Sequence, residues 1–134
     1  VARFDLIGKR LFEIGEKYYF ENLGIRNGIW GYRLEDRGKL MENVVFNHLL
    51  FQGYQVKVGI LGYREVDFIA EKDGEKLYIQ VALTINNPET LEREIGNLKS
   101  IDDNYPKKVV TMEAFSGNTV DGIETQDLRS FLLI

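Results

Sequence analysis

Asp67 and Gln80 carry the side-chain oxygens best placed for chemistry in this chain. They sit on two β-rich runs, residues 65–71 and 76–83, joined through Asp73-Gly74. Asp-Gly suits a two-residue type I′ turn, whose central residues both need positive φ. Such a loop pairs Lys72 with Glu75, and counting outward sets Glu71 opposite Lys76, Ile69 opposite Tyr78 and Asp67 opposite Gln80. Their Cβ atoms would lie about 5 Å apart on one sheet face. Two oxygens held that close can bind a hard divalent cation, Mg²⁺ or Mn²⁺, which polarises a phosphate ester and helps to generate hydroxide.

A third candidate is Glu42. Phe46 and Leu49 follow it at i+4 and i+7, so on a helix its carboxylate shares an apolar face and needs a partner. That partner is either the waters of a metal or, with no function implied, backbone amides, Arg26 or Arg64. For Asp67 and Gln80 the structural alternative is a cross-strand hydrogen-bonded pair. His48 reads as a packed or surface residue, because one histidine cannot build a histidine-rich metal site. Tyr18, Tyr19, Phe20 and Trp30 are able to stack on bases but fit core packing better.

The elements that must position these residues follow from pattern. Residues 1–16, punctuated by Gly8 and Gly15, suit a linker arriving from an upstream domain, and Val1 in place of methionine fits a fragment or processed product. Residues 17–21 read as a strand and 23–31 as a turn and short helix. The strongest helix covers Lys39 to Gln52. Leu40, Val44 and Phe51 lie on one side, Phe46 and Leu49 on another, and Gly53 stops it. Residues 54–59 form a strand and 60–63 a turn before the Asp-Gly hairpin. Pro88 opens a second helix reaching about Ile101, with Glu89, Glu92 and Glu94 toward its positive end, and Asn104-Tyr105-Pro106 breaks it. Residues 107–112 form a strand, 114–121 a polar loop, and 123–134 a short strand and terminal helix. The crossover from the third strand of the meander through a helix to the fourth predicts a right-handed connection and a parallel fourth strand. The fold class is therefore α/β, a central mixed sheet flanked by helices in the order αβββαβ.

Composition narrows the chemistry. At 134 residues with 44% hydrophobic and 12% aromatic, the chain can bury a core of its own. The absence of cysteine removes disulfides, zinc-thiolate sites and thiol redox chemistry, leaving oxygen ligands. No apolar stretch approaches the roughly 20 residues of a membrane span, and no basic-then-apolar leader opens the chain, so the expected location is cytoplasmic. The formal charge of −4 argues mildly against avid nucleic-acid binding without excluding a local basic groove.

Glu42 on the first helix, Asp67 on the second strand and Gln80-x-Ala82 on the third resemble the PD-(D/E)XK, restriction-endonuclease-like nucleases. More narrowly, Lys17-Tyr-Tyr-Phe, Leu23-Gly-Ile-Arg-Asn, Met41-Glu-Asn, Glu65-Val-Asp-Phe-Ile-Ala, Tyr78-Ile-Gln-Val-Ala and Asn104-Tyr-Pro together look like the C-terminal domain of unknown function of bacterial and archaeal AAA-type ATPases. The likeness covers residues 17 to about 133. It implies an upstream P-loop ATPase domain in the full-length protein; no G-x-x-x-x-G-K-[ST] occurs here, so the ATP-hydrolysing part is expected to lie outside this chain. It also implies that Asp67 anchors a metal with Gln80 and Glu42 assisting. Gln80 replaces the family's second acid and Ala82 its lysine, which stabilises developing charge. Loss of one such donor typically costs on the order of a hundred- to a thousandfold in rate. Lys99 is the first candidate for a substitute cation, with Arg93 and Lys57 behind it. The favoured expectation is a non-catalytic nuclease-fold domain that recognises DNA, RNA or a protein. A metal-dependent nuclease with a rearranged site and an oligomerisation or regulatory domain, including a homo-oligomer, are the alternatives.

Overall fold

The computed structural model describes residues 3–5, 10–11, 37–83, 88–112 and 119–133. The expected strand at 17–21, the helix at 23–31 and the aromatic set at 18–20 and 30 lie outside them. The described elements are β1 (Arg3–Asp5), β2 (Arg10–Leu11), α1 (Arg37–Phe51), β3 (Gln55–Leu61), β4 (Arg64–Lys72), β5 (Glu75–Ala82), α2 (Pro88–Lys99), β6 (Lys107–Thr111), β7 (Thr119–Val120), β8 (Ile123–Asp127) and α3 (Leu128–Leu132). They form one mixed sheet in the order β2-β1-β3-β4-β5-β6-β8-β7. The segment from α1 to β6 runs helix, three antiparallel strands, helix, strand. The fourth strand, β6, is parallel to β5, as expected.

Two short runs within the expected linker differ from expectation. Arg3–Asp5 pairs in parallel with β3, and Arg10–Leu11 pairs with β1, so both belong to the domain sheet and not to a linker. Backbone pairing with a strand edge is available to almost any sequence, which is why these short runs gave no pattern of their own.

Successive strand residues point to opposite faces, and two clusters fill the two faces accordingly. Tyr78, Ile69 and Val109 pack with Ile95, Leu98 and Ile101 on the α2 side. Ile79, Ala70 and Val110 pack with Met41, Val45, Leu49 and Phe131 on the side of α1 and α3. Helix α1 buries Leu40, Met41, Asn43, Val45 and Leu49, but Phe51 is 89% exposed, although the sequence places it on one side with Leu40. It lies in the last turn, beyond the sheet-facing stripe.

The Asp73-Gly74 hairpin has the expected register, with Lys72 opposite Glu75, Glu71 opposite Lys76 and Ile69 opposite Tyr78. Asp73 and Gly74 have φ of +52° and +81°, as a type I′ turn requires. A second Asp-Gly turn, Asp121-Gly122 at +52° and +82°, joins β7 to β8 within what the sequence suggested was a polar loop.

Candidate functional site

Asp67 sits where β4 departs from regularity. Between the pairs Lys57–Ile69 and Gly59–Val66 the chain advances two residues on β3 and three on β4. The extra residue is a β-bulge at Asp67-Phe68, and it turns Val66 to the α2 side while Phe68 faces α1. The β4–β5 ladder ends at Phe68–Ile79, one pair short of Asp67 and Gln80.

Side chains replace the ladder beyond that point. The Asp67 N–H donates to Gln80 Oε1 at 2.7 Å, and the Val81 N–H donates to Asp67 Oδ2 at 2.7 Å. Gln80 Nε2 reaches back to the Glu65 carbonyl at 3.4 Å. The two residues are neighbours as the register predicted, and they form a reciprocal clamp that holds two splayed strands together. The Gln80 side chain is buried and both ends of its amide serve the β4 backbone.

In this arrangement the oxygens of the pair serve the backbone. The Gln80 carbonyl oxygen, its sole acceptor, brings no charge and is directed at an amide hydrogen. Asp67 Oδ2 is likewise given to a backbone donor. Among the described residues no three Asp, Glu or His side chains gather as metal ligands. Ala82 packs into the apolar cluster under α2, so the position the resemblance reserves for lysine lies in the core.

The substitute cations are engaged elsewhere. Lys99, in the last turn of α2, pairs with Asp121 of the β7–β8 turn at 3.5 Å. In the sheet, Gln80 is level with Val109 and Thr125, and Asp121 lies in the turn that precedes Ile123, toward the N-terminal end of β8. Lys99 therefore belongs to the opposite end of the sheet, a correction to its expected role. Arg93 pairs with its neighbour Glu94 at 3.3 Å, and Lys57 with Glu71 at 3.9 Å. Arg64 turns to α2, donating to Asn97 Oδ1 and Ser100 Oγ at 3.4 Å.

Glu42 is half-buried on α1, close enough to Glu94 of α2 for its charge to act there. Burial pushes the Glu94 carboxyl above the usual carboxylate range, Arg93 offsets part of this, and Glu42 adds to it. The sequence pointed to Glu94 only as a dipole-favoured acid, because its burial depends on how α2 lies on the sheet. A raised acid favours the fold when protonated, so Glu94 penalises stability as pH rises through its folded value. Glu94→Gln should raise the melting temperature near about pH 7 and leave it unchanged near about pH 3.5. Equal shifts at both would remove burial as the cause.

No helix among the described residues is long and apolar enough to cross a membrane. Neither a protein-family model nor a solved structure matches the chain. An uncharacterised protein of Haemophilus influenzae is 38% identical over 131 residues, which is 98% of this chain and 32% of that protein. The chain thus spans about a third of the length of the curated relative it matches.

Proposed function

We propose that this chain is a PD-(D/E)XK-like domain in which the former metal-binding positions have become structural, and that it serves as a non-catalytic recognition module within a longer protein bearing a P-loop ATPase domain. The observation that carries the first half of this reading is the clamp: Asp67 and Gln80 each give an oxygen to the other strand's backbone. The α1-β3-β4-β5-α2-β6 order and the bulge at Asp67 support the nuclease-like ancestry, since bulges cluster where a sheet re-aims a side chain beside a site. Support for a larger protein comes from the resemblance and from the greater length of the H. influenzae relative.

Calorimetric titration of Mg²⁺ and Mn²⁺ into the wild type and Asp67→Ala tests the loss of metal chemistry. No saturable heat is expected from the wild type, and no cleavage of single- or double-stranded DNA or RNA. Saturable binding abolished in the variant would replace this reading with that of a nuclease. The recognition role is tested by binding to DNA and RNA over a range of salt. A nucleic-acid module shows affinity falling linearly on logarithmic axes as counterions are released, and a protein-binding module shows no such slope.

A further inference from the structure

Three oxygens from the connection between α2 and β6 converge on one point. Asp103 Oδ1, the Asp103 carbonyl and the Tyr105 carbonyl each lie 2.9 Å from Lys107 Nζ, the ammonium of the first residue of β6. A lysine ammonium has three donors and no acceptor, so this shell satisfies it completely. The Lys107 side chain is only 11% exposed.

Groups other than the lysine hold the cage in shape. The Tyr78 hydroxyl donates to Asp103 Oδ2 and the Tyr105 N–H to Asp103 Oδ1, so both carboxylate oxygens are fixed. The Tyr78 N–H donates to the Pro106 carbonyl at 3.0 Å, which ties the same segment to β5. The centre of the Tyr78 ring lies 5.3 Å from the ammonium, within the range of a cation–π attraction. Outer partners of this kind orient the ligands of a bound ion.

Size and charge decide what fits such a cage. One carboxylate and two neutral carbonyls balance a single positive charge. Oxygens 2.9 Å from their common centre stand too far out for Mg²⁺, which takes them at about 2.0–2.1 Å, or Ca²⁺, at about 2.3–2.6 Å. Potassium is close to ammonium in size, and carbonyl oxygens can replace its hydration shell. A cavity of about 390 Å³ lined in part by Asp103, Tyr105 and Lys107 opens beside the cage, giving an ion a route in and room for the waters that complete its shell.

We propose that the 103–105 segment is a monovalent-cation site, suited to potassium and ammonium, which the chain fills with its own Lys107 ammonium. In the wild type the tethered ammonium excludes free ions, so the connection needs none. Dependence on a dissolved cation appears once the tether is cut.

Urea unfolding of Lys107→Ala and Lys107→Met at constant ionic strength, in choline, lithium, potassium and ammonium chlorides, tests this. Lys107→Met keeps most of the stem and leaves the ammonium position vacant. Each variant is compared with wild type in the same salt, which removes general salt effects. In potassium and in ammonium the folded-to-unfolded ratio should rise about tenfold over that in choline, as for an ion at about ten times its dissociation constant, and should saturate with concentration. Lithium should give no such rise, and adding Asp103→Asn to Lys107→Met should abolish it. A variant unfolded in choline should regain its native circular dichroism in potassium. Equal stability across the salts, a rise that lithium matches or that survives Asp103→Asn, or failure of both variants to fold in every salt would each overturn the proposal.

Discussion

Asp103→Ala is expected to cost about 2 kcal/mol of folding stability, the scale for leaving the Tyr78 hydroxyl without its acceptor and the Lys107 ammonium without its counter-ion. Asp103 accepts from the Tyr78 hydroxyl at 2.5 Å, from Lys107 Nζ at 2.9 Å and from the Tyr105 N–H at 3.0 Å. Lys107 completes its shell on the carbonyls of Asp103 and Tyr105, both at 2.9 Å. These bonds fasten the 100–106 connection to the middle of β5 and the start of β6. Burial raises the Asp103 carboxyl, but the bonds from Tyr78, Lys107 and Tyr105 outweigh it and hold the group below its ordinary value. A depressed acid stabilises the fold above its unfolded pKa, and the contribution fades as pH falls through the folded value. Urea unfolding should thus show a constant gap between wild type and variant from neutral pH down to about pH 5, narrowing below about pH 4. A gap that persists undiminished near about pH 2 would mean that packing, not the ionised carboxylate, holds this loop.

Gln80→Leu should cost about 2–4 kcal/mol, because it strips partners from the Asp67 N–H and the Glu65 carbonyl at once. The volume is nearly conserved, so most of the loss reports hydrogen bonding and not a cavity. Gln80→Glu is the more discriminating change. Its carboxylate can still accept from the Asp67 N–H, but its second oxygen faces the Glu65 carbonyl, which offers only lone pairs. Protonation restores the lost donor. The new carboxyl would favour the fold when neutral, so the variant should be nearly as stable as wild type at acid pH and fall away as pH rises. Chemical denaturation across pH reads this directly. A Gln80→Glu variant as stable as wild type at neutral pH, and now able to bind Mg²⁺, would show the clamp to be dispensable and the site convertible.

How far the sequence carried the fold depends on whether the determining physics was local. The Asp73-Gly74 turn and its register came out of two residues and a parity count, and Pro88 marked the start of α2. The same dipeptide at Asp121-Gly122 carried an equal signal, yet its flanking strand Thr119–Val120 is two residues long and shows no alternation to read. Asp67 and Gln80 were legible as neighbours because register is arithmetic. Their use was not, because the bulge that ends the ladder is a relation between β3 and β4 and leaves no mark in either run alone. The Tyr78, Asp103 and Lys107 cluster was hidden for the same reason: a hydroxyl, a carboxylate and an ammonium from separate stretches meet only after β5 and β6 pair. Lys99 was misplaced because a position on a helix does not say toward which end of the sheet it projects.

The two outermost described strands, β2 and β7, are only two residues long each. Among the described residues each offers few free amides and carbonyls to an approaching strand, whereas the longer β4 and β5 lie between two neighbours. Short rims of this kind act as bumpers against self-templated fibre growth. Removing β7 would open the edge of β8 at Ile123 and Glu124 to pairing with another chain.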